Sequence, residues 1–192
     1  MTHSHDPPPS KNGLIGRDRE LRELTVGIVD VVAGTGGLFL VHGEPGIGKS
    51  RLVEAAAEVA AKNGVVVHWG RCWEVGGAPA YWPWIQVLRS VVEDLGASDI
   101  AAVPGTWALG QLVPELVGLL PERALGADLE PEQATFQLMD AVAGVLRTAS
   151  RTRPLAVIIE DLHAADPASV TLLDFLARQV RNTSLLLIGT YR

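Results

Sequence analysis

The chain has 192 residues, 47% of them hydrophobic, and carries 16 Lys and Arg against 22 Asp and Glu, a net charge of −6. That is enough apolar chain for one well-buried domain, while the acidic balance offers no basic field for DNA or RNA and argues against direct nucleic-acid binding by these residues. The one cysteine, Cys72, excludes an internal disulfide and a multi-cysteine metal site, and suits a reducing compartment.

The first residues, MTHSHDPPPSKNG, lack the basic n-region and apolar core of a signal peptide, and no run of about 18 apolar residues follows. The expectation is a disordered tail over 1–12, a globular domain over 13–192, no membrane partner and a cytoplasmic location. Leu14, Ile15, Gly16 and Arg17 then make a short apolar-Gly-Arg element. After it Leu21, Leu24, Ile28, Val31 and Val32 recur at helical spacing with charges on the other face, predicting an amphipathic helix.

GTGG at 34–37 turns into a short apolar strand, LFLVH at 38–42, and the next eight residues read GEPGIGKS. They fit the phosphate-binding pattern G-x-x-x-x-G-K-[ST] at every fixed position. Gly43, Gly46 and Gly48 let the loop curl so that successive N–H groups point at phosphate oxygens. Lys49 can reach the β- and γ-phosphates, and the Ser50 hydroxyl is placed to bind a Mg²⁺ ion that bridges them. A helical pattern over 51–64 follows directly, burying Leu52, Val53, Ala56, Val59 and Ala60, and its positive dipole end adds to the anion site. Strand, loop and helix in that order are the context the motif requires, so nucleotide binding is expected rather than a plain glycine-rich turn. A second strand, 65–70, completes a right-handed βαβ unit with a parallel pair and selects an α/β fold.

Trp73, Tyr81, Trp82 and Trp84 crowd the next stretch. Rings of this size carry the largest burial energies, which favours packing on a core over ligand stacking. Trp84, Val87, Leu88, Val91 and Val92 continue as a helix, and two more helical segments are expected at 107–120 and 131–150. The first presents Leu109, Leu112, Val113, Leu116 and Leu119 or Leu120, with Pro114 bending it or marking its true start. The second presents Phe136, Met139, Val142, Ala143 and Leu146, after a surface loop.

The third strand, LAVIIED at 155–161, ends in Glu160 and Asp161. Ligands of open α/β sheets sit at the carboxyl ends of strands, where one acidic side chain can hold a Mg²⁺ shell and a neighbour can orient and deprotonate water. Asp166 before Pro167 matches an N-cap followed by a first-turn proline, and His163 reads as a hydrogen-bonding histidine. A last strand, 185–192, brings Thr190 and Arg192 to the same rim.

Taken together, LIGRDREL, GEPGIGKS, LAVIIEDLHAADP and LLLIGTYR resemble the STAND branch of AAA-like ATPases, in particular the ATP-binding domain of large LuxR-type bacterial transcriptional regulators. GRCWEVGGAPAYWPWIQVLR is also similar to the segment that follows the second strand in those regulators. The resemblance implies a P-loop NTPase three-layer sandwich of additional-strand type, with the fourth strand between the first and third, and ATP, ADP and Mg²⁺ as ligands. It implies that Gly16 and Arg17 lie by the adenine. Gly43, Glu44, Pro45, Gly46, Ile47, Gly48, Lys49, Ser50 and Arg51 would wrap the phosphates, with Lys49, Glu160, Asp161 and Arg192 in catalytic roles and Arg192 as the sensor arginine. Ser50, Glu160 and Asp161 are the Mg²⁺ candidates. The family usually has aspartate at the first acidic position, so Glu160 lengthens that arm by one methylene and leaves open which carboxylate meets the ion.

The same resemblance implies a fifth strand beyond the first, a winged-helix lid, helical repeats and a C-terminal DNA-binding helix-turn-helix. None is recognised in these 192 residues, so a truncated domain with an open first-strand edge is expected. The leading reading is an ATP-binding switch with weak hydrolysis, with nucleotide-dependent self-association left open. The residues also leave room for a nucleotide-binding interaction module without hydrolysis and for a P-loop small-molecule kinase, although a carboxylate pair on a separate strand followed by GTYR favours the ATPase layout.

Overall fold

A computed structural model describes residues 16–117 and 130–192. The tail at 1–12, Leu14, Ile15, Leu119, Leu120 and most of the expected surface loop lie outside them. The elements run α1 (Asp18–Val32), β1 (Gly37–His42), α2 (Lys49–Lys62), β2 (Val66–Arg71), α3 (Trp82–Leu95) and α4 (Ala97–Ala101). They continue with two 3₁₀ turns (Thr106–Gln111 and Pro114–Leu116), α5 (Pro131–Thr152), β3 (Leu155–Glu160), α6 (Pro167–Ala177) and β4 (Leu185–Tyr191). Among the described residues no helix is long and apolar enough to cross a membrane.

All four strands are parallel, in the order β1-β4-β3-β2. The fourth strand therefore lies between the first and third, as the resemblance implied. The expected pairing of the first two strands is corrected. β1 and β2 occupy opposite edges, β1 on β4 and β2 on β3, because the chain crosses the width of the sheet between them.

Every residue of β3 is buried, as are Leu185–Thr190 of β4, the signature of strands covered on both faces. Alternate side chains divide the core in two. Leu155, Val157, Ile159, Leu185 and Leu187 meet α3, α5 and α6, whereas Ala156, Ile158, Leu186 and Ile188 meet Leu24, Ile28 and Val31 of α1 and Leu52, Val53 and Ala56 of α2. The result is the three-layer α/β sandwich of a P-loop NTPase-like fold. Truncating Ile158, 1% exposed in the second cluster, would cost about 2–5 kcal/mol.

Three helical expectations are corrected. The segment beginning at Trp107 is two 3₁₀ turns rather than one helix, because Pro114 has no N–H to donate and drives Val113 to φ −128°, ψ 82°. Its Leu109, Leu112, Val113 and Leu116 are nonetheless buried. On α5 the buried face is Leu138, Ala141, Val142, Val145 and Leu146. Phe136 sits about 200° around the helix from Leu138, is exposed, and meets Phe175 of α6 edge to face at 5.8 Å. On α1, Val32 is exposed and the buried set ends at Val31.

The tryptophans also divide. Trp84 is 1% exposed and its indole Nε1–H donates to the Ser169 carbonyl at 3.0 Å, tying α3 to α6, while Trp73 stands exposed in the loop before α3.

Candidate nucleotide site at the carboxyl ends of the strands

Residues 43–48 connect β1 to α2 above the carboxyl end of the sheet. Gly43 N–H donates to the Tyr191 carbonyl at 3.3 Å, which fastens the start of the loop to the end of β4. A Cβ on Gly43 would stand 2.9 Å from Ile47 Cγ2, so any side chain there would push the Ile47 side chain aside. Gly48 caps α2 with φ at +94°, in the left-handed region where a side chain costs about 1–2 kcal/mol. The first N–H groups of α2 have no carbonyl one turn back to bond, and they carry the helix's positive end. Lys49, nearly buried, donates from Nζ to the carbonyls of Gly43 at 2.7 Å and Glu44 at 3.1 Å, so its ammonium sits inside the curl of the loop. Ser50 and Arg51 are exposed in the first turn of α2.

Arg17 reaches this loop from the start of α1. Its Nη2 donates to the Ile47 carbonyl at 3.3 Å and its Nη1 pairs with Glu20 at 3.2 Å. Gly16 precedes it with φ at +79°. Arg17 therefore abuts the 43–48 loop, although it lies 30 residues from Ile47 in sequence.

Across the sheet, β3 delivers Glu160 and Asp161. Glu160 is buried, 6% exposed, and its Oε2 accepts from Arg71 Nη2 at 2.7 Å. Among the described residues its Oε1 has no hydrogen-bond partner. Asp161 is more open and takes a left-handed backbone, φ 61°, with its N–H donating to Thr190 Oγ1 at 3.0 Å. Arg71 Nε lies 4.0 Å from its carboxylate.

One step outward, Glu74 Oε1 receives two partners, His163 Nε2 at 2.9 Å and Arg192 Nη2 at 2.6 Å. The hydrogen bond to His163, then the Arg192 charge, hold the Glu74 carboxyl below its ordinary value. Ligand atoms of Glu74, Asp161 and His163 all lie within 4.8 Å of one another. Arg192 follows Tyr191, the residue bonded to Gly43, so the end of β4 stands between the phosphate loop and the carboxylates.

Asp166 caps α6, accepting from Ser169 N–H at 3.0 Å and Ser169 Oγ–H at 2.6 Å, and it also takes Tyr81 N–H at 3.2 Å. Burial works against this carboxylate, but those bonds outweigh it and keep the carboxyl below its usual range. Cys72, beneath the same rim, is pushed up to about 12 by burial and by the Asp161 and Asp166 charges.

The structure thus brings Lys49, the loop, Glu160, Asp161 and Arg192 to one rim. Arg71 and Glu74, absent from the sequence-derived set, complete it. Both lie in GRCWE, at the carboxyl end of a strand, which was the available signal.

Residues 13–188 match the family profile described as AAA ATPase domain. The chain is also 28% identical over 191 residues to an uncharacterised protein of Rhizobium meliloti (strain 1021), an alignment that takes in 93% of this chain and 18% of the relative. The chain therefore spans less than a fifth of the length of that protein.

Proposed function

Because this chain belongs to the AAA ATPase domain family, we propose that it is an ATP-binding switch domain with weak or slow hydrolysis. The observation that carries this reading is Lys49 drawn into the glycine loop after β1, with Glu160 and Asp161 at the carboxyl end of β3, two strands away in the same parallel sheet. In such a site the loop N–H groups and Lys49 take the phosphates, and the start of α1 with Gly16 and Arg17 flanks the base. Asp161, the more open of the two acids, orients and deprotonates water, while Arg192 reads the γ-phosphate.

The residues fit a Mg²⁺ ion. Ser50 offers an exposed hydroxyl one residue after Lys49, and Glu160 holds a buried carboxylate oxygen that has no hydrogen-bond partner among the described residues. The ion would be held by Ser50 with Glu160 or Asp161, and would neutralise charge on the β- and γ-phosphate oxygens. Weak turnover is the expectation because Arg71 already neutralises Glu160 at 2.7 Å, and because a switch needs only that ATP and ADP favour different conformations.

The regulatory setting rests on the STAND and LuxR-type resemblance. In that setting the domain works in the cytoplasm of a signal-responsive bacterial transcriptional regulator. DNA is bound by another region, and self-association depends on the nucleotide. Single-turnover hydrolysis of Mg-ATP by wild type and Asp161→Asn tests the site. Loss of turnover with binding retained is expected; unchanged turnover would move the catalytic role elsewhere. Phosphoryl transfer to a small acceptor would replace the switch reading with a kinase.

A further inference from the structure

We propose that Glu74 is a latch on Arg192, a positioning residue that competes with the γ-phosphate of ATP for the arginine and so sets how strongly the site prefers ATP over ADP. The inference rests on the reading of this rim as an ATP site.

Glu74 belongs to the loop between β2 and α3, distant in sequence from the phosphate loop and from both strand-end acids. Its Oε1 accepts from Arg192 Nη2 at 2.6 Å across 118 residues of chain, and the same oxygen meets His163 Nε2 at 2.9 Å. His163 follows Asp161 by two positions, so the latch is built from the strand-end segment that carries the candidate water-activating acid. Arg192 is likewise tied to the loop, through the Tyr191 carbonyl that takes the Gly43 N–H. Its guanidinium is thus held on the acidic side of a rim whose other side is the phosphate site.

The balance of strengths makes this a latch that can open. Glu74 and Arg192 side chains are 51% and 49% exposed, and an ion pair so open to water is worth at most about fivefold in an equilibrium constant. A phosphoryl group offers several anionic oxygens, and guanidinium binds such groups through two parallel bonds. ATP therefore takes Arg192 from Glu74, whereas ADP, which has no γ-phosphate, leaves the pair closed. Every molecule of ATP bound must break the pair, so the latch lowers ATP affinity and spares ADP.

The test is calorimetric titration of the protein with Mg-ATP and Mg-ADP, using wild type, Glu74→Gln, Arg192→Ala and the double variant. The Glu74 side chain is half exposed, so the isosteric amide keeps the fold. The expected result is ATP bound about threefold to fivefold more tightly by Glu74→Gln, ADP unchanged, and no effect of Glu74→Gln once Arg192 is alanine. Equal changes for both nucleotides, a fall in ATP affinity, or a gain that persists without Arg192 would each overturn the latch while leaving ATP binding intact. Folded wild type that binds neither nucleotide would overturn the ATP-site reading and the latch with it.

Discussion

Replacing Arg71 by alanine probes the rim at its most buried charge. Arg71 Nη2 is 2.7 Å from Glu160 Oε2, and the carboxylate side chain is 8% exposed against 61% for the arginine. Breaking a fully buried pair costs about 3–5 kcal/mol, and an exposed pair is worth about 1 kcal/mol or less. With one end in water the expected loss falls between these, about 1–3 kcal/mol, because the variant takes the cation from Oε2 while Oε1, among the described residues, already has no hydrogen-bond partner. At a urea slope of about 2 kcal/mol per molar, the unfolding midpoint should drop by roughly 0.5–1.5 M. Glu160→Gln placed in the Arg71→Ala background should return most of that loss, since a neutral amide needs no cation. An unchanged midpoint for Arg71→Ala, or a double variant no better than the single, would refute the claim that Arg71 neutralises a buried carboxylate.

Asp166→Ala removes the α6 cap together with the anchor for Tyr81 N–H, and should cost about 1–2 kcal/mol in chemical denaturation; a loss under a few tenths would show that the cap is idle. Because the Asp166 carboxyl is held below its unfolded value, its contribution is present above about pH 4 and is lost as the pH falls further, so the gap between wild type and variant should close in acid. His68 titrates in a higher window. Burial first, and the Arg153 charge, lower its pKa against the opposing pull of Asp94, and its Nδ1 meets Ser90 Oγ at 2.7 Å. The unfolded chain then takes up the proton more readily, so stability is full above about pH 6.5 and declines as the pH drops through and below that value. His68→Gln should flatten the melting temperature between pH 7 and pH 5, and an equally steep profile would assign the decline to other groups. With its thiol pushed up to about 12, Cys72 should resist iodoacetamide at pH 8 until denaturant is added, and prompt alkylation of folded protein would contradict its burial.

The candidate phosphate loop stands out in the sequence because its pattern is local: three glycines, Lys49 and Ser50 lie within eight residues, flanked by an apolar strand and a helical period. Glu160 and Asp161 were legible for a related reason, since a run buried on both faces has to stop where charge begins. Strand order was not legible from local pattern, because nothing in VVVHWG distinguishes pairing with β1 from pairing with β3; the fourth strand's place came from family likeness. Arg71 and Glu74 escaped because their partners lie 89 to 118 residues away in sequence, and a charged residue in a loop reads as solvated until the fold brings an opposite charge to it. Phe136 was misplaced because α5 carries apolar residues on more than one side, and periodicity does not say which stripe meets the sheet. Pro114 marked a real break, but the weak 3₁₀ turns on either side of it have no sequence period of their own.

The measurement that bears most directly on this site is calorimetry with Mg-ATP on wild type and Lys49→Ala. Lys49 is drawn inside the loop, where it bonds the Gly43 and Glu44 carbonyls. One ATP should bind per wild-type chain, and the alanine variant should bind at least tenfold more weakly while its melting temperature stays close to wild type. Folded wild type that takes up no ATP, or a Lys49→Ala variant that binds as tightly, would contradict the assignment of residues 43–50 as a phosphate site.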